Sequence, residues 1–491
     1  MDRRNFLTTA ASLGAASLGA LALTPETLLA AQANSGAWTL GVADVEADIA
    51  PQDLRLVRGR PPADLAGVLY RNGPAKFRRP GASATHWFDG DGLMRRFQIG
   101  EGKARLAARF AETPKRRIET AANGMVQPGF GSPAGKDARV GNPDDVNAAN
   151  TSVMKAGGEI WALWEAGSPL AMDPDTLATR GFHTLRPDMK GMPFLAHPRY
   201  EPDGRIWNLG VSGAKAIIWR LAADGVLEAA TPISLPNPSY IHDFTATERH
   251  LILVLQPWLH ERLVVPFSAG FAWRPEKGTQ ILVLDKDDLS RRRIYDLEAF
   301  SFFHMGDAWE DAGGAIKFDI CTAADPGFGA RGAAAILKGD LAGATYDVQV
   351  ELITLPRQGP ARRERIGMVA EFPRTDPRFA GRARNFSVYA GGMPSAHPVA
   401  QGVTVRDWGR DRNDSYDFGR DQMVEEMVFV PRPGGTDEFD GWLVGSSINL
   451  TARASELHVF DARSVAAGPI STWRADVALP ITFHGIFVAK A

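Results

Sequence analysis

The sequence predicts an all-β propeller, and three observations predict it. Short β-branched and aromatic runs follow one another from about residue 40 to the end, each bounded by glycine, proline or aspartate. Strong amphipathic helices are few, while Gly 50 and Pro 33 are scattered along the chain, as in loop-rich β proteins. One plan also recurs in "PLAMDPDTLATRGFHTL", "IIWRLAADGVLEAATPISL", "QILVLDKDDLSRRRIYDL" and "LHVFDARSVAAGPISTW": an apolar strand, an aspartate-bearing turn and a second strand. That is the pattern of a blade's outer hairpin. The roughly 455 residues left after the N-terminal segment, shared among seven blades, give about 65 each, with the surplus as loops on one face.

The N-terminus carries Arg3-Arg4, then Phe6-Leu7, a mildly apolar stretch to Leu23, and small residues at Ala31 and Ala33. This predicts a twin-arginine-type export signal over 1–33, cleaved after Ala33, and hence a periplasmic protein. The alternative is an uncleaved N-terminal anchor. No composition break follows, so 38–491 is expected to be one domain. Strands are expected at "GVLYRNG", "EIWALWEAG", "RIWNLGV", "AIIWRL", "HLILVLQP", "QILVLD", "AIKFDICTA", "YDVQVELITL", "EMVFVPRP", "GWLVGSSIN", "ELHVFDA" and "ITFHGIFVA". "LRLVRG" and "LAGATYDV" read as short helices or turns. A strand at the very end of the chain would close the ring.

A formal net charge of -2 gives no electrostatic footprint for nucleic acid. The single cysteine, Cys321, excludes an intrachain disulfide and any zinc site built on two thiolates. There is no nucleophile elbow, phosphate loop, HExxH or dinucleotide fingerprint. "FDGDGL" hints at calcium but lacks the remaining loop ligands, so a tight turn is the better reading. Of ten histidines, His197, His242, His304 and His484 share one setting: apolar residues before them and a strand edge around them. They lie 45, 62 and 180 residues apart, near one, one and three blades, so four blades could each send an imidazole to the axis. Singly, each reads better as a hydrogen-bonded core histidine. His86, His250, His260 and His458 have polar company and are expected at the surface; His183 and His397 stay unassigned. An all-imidazole shell suits zinc, copper, iron or nickel and needs acceptors for the outer ring N–H groups. Glu165, Glu371 and Glu426, inside apolar runs, are candidates, since a carboxylate is rarely buried unpaired.

These residues resemble the carotenoid cleavage oxygenase family, which includes apocarotenoid oxygenases, stilbene-cleaving dioxygenases and the retinoid isomerase of the eye. The resemblance runs from about 40 to 491 through "LAGVLYRNGPAKF", "HWFDGDGLMRRFQI", "NAANTSVMKAGGEIWALWEAGSPLAMDP", "AHPRYEPDGRIWNLG", "IHDFTATERHLILV", "FFHMGDAWED", "EFPR" and "FHGIFV", in family order. It implies a seven-bladed propeller with a cap of loops and short helices over one face. It also implies one Fe(II) per chain on His197, His242, His304 and His484, with Glu165, Glu371 and Glu426 hydrogen-bonded to His242, His304 and His484. Thr151 matches a residue whose methyl crowds an open metal position. The implied reaction is cleavage of a C=C bond by O2 into two carbonyl products, with no organic cofactor.

Stilbene-cleaving relatives typically carry a lysine just before the first glutamate. Here the residue is Trp164, which lines an apolar tunnel better than it holds a phenolate. A carotenoid or apocarotenoid is therefore favoured over a lignostilbene-like substrate. The apolar run "LVVPFSAGFAW" reads as a rim that dips into a membrane to load such a substrate, or as blade packing. The competing class is a non-catalytic periplasmic propeller that only binds a ligand. A calcium lactonase is a third, disfavoured because such enzymes use carboxylate and amide ligands.

Overall fold

The computed structural model describes residues 36–344, 346–392 and 397–490. The expected export segment lies outside them. Seven antiparallel sheets of four or five strands form a ring of blades. In chain order the strands at one end of each sheet are Ser152–Ala156, Arg199–Tyr200, Thr245–Ala246, Ser301–Met305, Ala370–Arg374, Gln422–Pro431 and His484–Ala489. Several of these end strands touch across neighbouring blades, which sets them around the axis.

Three of the recurring hairpins are the outer edges of their blades; the fourth, Ala454–Asp461 with Ser471–Arg474, lies one strand inside the edge. Lys215–Leu221 pairs with Leu227–Ser234, and Thr279–Asp285 with Arg292–Leu297. Their aspartates make the turns: Asp285 accepts from the N–H groups of Asp287 and Asp288, as Asp173 does from Asp175 and Thr176. The core lies between blades, not within them. Ile252, Val254, Ile281 and Val283 of one blade meet Ile316, Phe318, Ile320 and Ile353 of the next. Strands covered on both faces need apolar residues at successive positions, which is why "HLILVL" shows no alternation.

Closure joins both ends of the chain. His484–Ala489 pairs with Gly67–Lys76, with His484 opposite Asn72. Arg55–Gly59 adds to the blade of Gln422–Pro431 beside Ser471–Arg474, so "LRLVRG" is a strand rather than a helix or turn. Its apolar positions had no local partner to declare them; the pairing is with residues some 400 positions away. Among the described residues two short α-helices, Pro114–Ala122 and Ala333–Lys338, lie in the long inter-strand segments. No helix among the described residues is long and apolar enough to cross a membrane.

Candidate metal centre

Three end strands or the residues just before them carry His197, His242 and His304 on successive blades. The closing strand carries His484. The structure brings the four rings together: their ligand atoms all lie within 4.8 Å of one another. His242 Nε2 stands 3.1 Å from His197 Nε2 and 3.2 Å from His304 Nε2. The His197 and His484 ring centroids are 4.5 Å apart, and those of His304 and His484 4.8 Å.

Three carboxylates set the tautomers. Glu165 faces His242 Nδ1, Glu371 Oε2 lies 2.6 Å from His304 Nδ1, and Glu426 Oε1 lies 3.0 Å from His484 Nδ1. A carboxylate accepts, so each Nδ1 donates, and each of these Nε2 atoms presents a bare lone pair inward. Bare lone pairs about 3.2 Å apart repel unless a cation lies between them. Imidazole nitrogens sit about 2.0–2.1 Å from a bound zinc, so two at right angles stand about 3 Å apart. The spacing fits a metal ion of that size, and the donor set is nitrogen alone. Cys321 is buried elsewhere, in the cluster with Val348 and Val350.

Electrostatics treat the rings differently. Burial, then the neighbouring imidazoles, hold His197 well below the usual histidine range. Burial takes His484 down to about 3 despite Glu426. For His304 burial works in the same direction, but the Glu371 charge outweighs it and the pKa is raised. Burial alone would raise Glu426; Arg374, His484 and Arg71 bring it down to about 2. The Arg71 guanidinium, itself fully buried, lies 3.0 Å from Glu426 and donates to Thr482 Oγ1 at 2.9 Å.

Sequence reasoning missed two tyrosines. Tyr240 donates to both oxygens of Glu165, at 3.0 and 2.9 Å, and Tyr346 donates to Glu371 Oε1 at 2.6 Å. Burial, then the adjacent carboxylate, keeps both hydroxyls protonated. Tyr240 stands two residues before His242, which was a usable signal. Tyr346 sits in "LAGATYDV", whose residues 341–343 form a turn, one of the two readings expected there, and whose other described residues are irregular; it gave none. Phe372 was missed too. Its backbone is left-handed, at φ 57, its N–H donates to Glu371 at 2.9 Å, and its ring stacks on His304 at 4.8 Å. Such a backbone costs about 1–3 kcal/mol and is held here by the carboxylate beside it.

Two expected surface histidines are buried instead. His86 is packed against Phe88 and Phe130 with Nε2 3.0 Å from Gly329 O. His458 lies between Ser447 Oγ and Thr472 Oγ1, at 2.8 and 3.0 Å. In both cases the partners that bury the ring lie outside its immediate sequence surroundings: Gly329 for His86, and Ser447 and Thr472 for His458. The two aspartates of "FDGDGL" are likewise buried: Asp89 accepts three backbone N–H groups of 130–132, and Asp91 meets Arg79, Lys115 and Arg116. With those lone pairs taken by donors, the motif holds a loop and a helix in place.

Above the histidines opens a cavity of about 790 Å³. His242, His304, His484, Glu165, Glu371 and Thr151 line it; His197 and Glu426 lie behind. Thr151 precedes the strand Ser152–Ala156, and its hydroxyl is engaged with Asn150 at 3.2 Å. Phe88, Phe130, Trp164, Phe271, Phe303 and Phe328 give the wall its aromatic character. Lys190 is the only lysine or arginine among the described lining residues, and it is exposed. The run 263–273 forms part of the rim: Leu263 is 85% exposed, and Phe267 and Phe271 face the cavity.

The model of the retinal pigment epithelial membrane protein family matches residues 42–489. The apocarotenoid-15,15'-oxygenase of Synechocystis sp. is 29% identical over 481 residues, which cover 91% of this chain and 93% of the relative. The resveratrol cleavage oxygenase 1 of Aspergillus fumigatus is 25% identical over 477 residues, which cover 90% and 92%. A crystal structure of cobalt-substituted Synechocystis apocarotenoid oxygenase superposes with a TM-score of 0.82 at 26% identity, covering 93% of this chain and 99% of the other.

Proposed function

The chain belongs to the retinal pigment epithelial membrane protein family, that of the carotenoid cleavage oxygenases, and from that premise we propose that it is a non-haem iron dioxygenase cleaving a C=C bond of a carotenoid or apocarotenoid. The observation that carries this reading is the convergence of four imidazoles at the base of an apolar cavity. His197, His242, His304 and His484 would hold one Fe(II). The chemistry a bound ferrous ion supplies is activation of O2 toward an electron-rich double bond. One alkene and one O2 become two carbonyls, and all four electrons come from the alkene, so no reductant is needed.

The residues of the chain do the rest. Glu165, Glu371 and Glu426 keep the Nδ1 protons of three rings, which leaves every Nε2 a neutral donor and fixes its direction. Tyr240 and Tyr346 hold two of those carboxylates in turn. The aromatic wall places one double bond beside the histidines and excludes water. Thr151, at the edge of the same space, narrows the approach. The volume lies within the usual range for small-molecule sites, about 300–1,000 Å³.

The absence of any buried lysine or arginine from the described lining favours a polyene over a phenolic stilbene, which needs a polar anchor. We also propose that residues 1–33 direct export to the periplasm, and that the Leu263 rim touches a lipid surface to load substrate. Cell fractionation and vesicle flotation test those two points. The reaction is tested by incubating iron-loaded protein with a panel of apocarotenals and stilbenes under 18O2. The expected result is two carbonyl products, each carrying one labelled oxygen, from an apocarotenal. Turnover of stilbenes alone transfers the reading to the stilbene class, and no cleavage of any alkene leaves the binding propeller.

A further inference from the structure

We infer that Arg199 is a positioning residue of the metal centre, a brace that ties together the backbone segments carrying three of the four histidines. The inference rests on the metal-centre reading above. Arg199 lies two residues after His197. Its Nε donates to Phe244 O at 2.5 Å, Nη1 to Asp307 Oδ1 at 3.0 Å, and Nη2 to both Asp243 Oδ1 at 2.7 Å and Met305 O at 3.0 Å. Asp243 and Phe244 directly follow His242. Met305 directly follows His304, and Asp307 is two residues further on. One planar guanidinium therefore fastens the His197, His242 and His304 segments in one plane of hydrogen bonds.

The partners continue the brace. Asp243 Oδ2 accepts the Met305 N–H at 3.0 Å, and its Oδ1 accepts the Phe244 N–H at 2.7 Å. Thr245 Oγ1 donates to Gly306 O at 2.8 Å and accepts from the Ala308 N–H at 2.8 Å. Asp307 also accepts from Thr375 Oγ1, four residues past Glu371. The arrangement accounts for the residues beside each ligand in "HPR", "HDFT" and "HMGD". A β-ladder fixes neighbours within one blade; nothing in a ladder sets the distance between inner strands of different blades. Arg199 supplies that distance for three rings in which His242 Nε2 stands 3.1 Å from His197 Nε2 and 3.2 Å from His304 Nε2.

The test uses the full chain and cobalt(II) alone. Arg199→Lys keeps the charge but cannot make the planar fork. Its cobalt affinity, read by absorption titration, is expected to fall about 10–100-fold with shifted ligand-field bands, while the far-UV spectrum of the metal-free chain stays the same. Arg363→Lys is the control. That residue makes a comparable two-pronged pair with Glu351, at 2.7 and 3.0 Å, on an outer strand, and is expected to leave cobalt affinity unchanged. If Arg199→Lys does not fold, Asp243→Asn, which keeps the side-chain shape, is expected to lower the affinity in the same range. Unchanged affinity and bands in a folded Arg199→Lys or Asp243→Asn chain overturn the brace, as does an equal loss in Arg363→Lys. A wild-type chain that takes up no cobalt overturns the metal centre itself, and the brace with it.

Discussion

Replacing Glu426 by glutamine keeps the shape of the side chain and removes its charge, and the surroundings say what that costs. Glu426 is 1% exposed and faces Arg71, which is fully buried, at 3.0 Å; Arg374, 34% exposed, lies at 3.2 Å. Removing one partner of a buried pair leaves an uncompensated charge and costs about 3–5 kcal/mol. Arg71 keeps Thr482 Oγ1 at 2.9 Å and a second carboxylate, Glu425, at 3.9 Å, so the low end applies, about 3 kcal/mol. Arg374 is partly solvated and adds little. The comparison is Glu371→Gln. That carboxylate has only the Tyr346 hydroxyl, the His304 ring and the Phe372 N–H as neighbours, with no buried guanidinium, so about 1–2 kcal/mol is expected. Urea denaturation of the two metal-free variants at pH 8, followed by tryptophan fluorescence, separates them. Glu426→Gln should unfold at clearly lower urea. Equal midpoints, or a more stable Glu426→Gln, would refute the assignment of Glu426 as the compensating partner of the buried Arg71.

Burial takes His458 down to about 4, from an ordinary value of 6.5, so the folded chain leaves it neutral where the unfolded chain binds a proton. Its contribution is full above pH 6.5 and is lost as pH falls toward 4, amounting to about 3 kcal/mol at most; His458→Gln should flatten the stability profile across that window in denaturation curves at pH 7, 6 and 5. Trp164→Lys places a cation in the apolar wall, and the ratio of kcat/KM for a 4-hydroxystilbene over an apocarotenal should rise at least tenfold in competition assays. Glu371→Gln should lower iron affinity or turnover about 10–100-fold, read by metal titration; full affinity and activity together would remove its role.

Much of the architecture was legible because it is local. Val- and Leu-rich runs and aspartate turns announced the outer hairpins without any tertiary knowledge, as in "QILVLDKDDLSRRRIYDL". The four histidines could be singled out by their apolar settings, and the resemblance said what they would do. Their spacing, near whole numbers of blades, allowed convergence, but the distances between the rings depend on how seven sheets close into a ring. The supporting residues were harder still. Tyr346 comes from an irregular segment, and Arg71 reaches Glu426 across 355 positions. Distant partners also misled the reading of His86 and His458, whose polar surroundings gave no hint that Gly329 would cover one and the neighbouring strands the other. Strand identity is a short-range property of this chain; the site is a long-range one.

Metal analysis of the purified full chain decides whether the four imidazoles share an ion. About one iron bound per chain is expected, lost in a folded His304→Ala variant. A wild-type chain without iron after anaerobic loading, or a His304→Ala chain that retains it fully, would contradict four imidazoles sharing one ion.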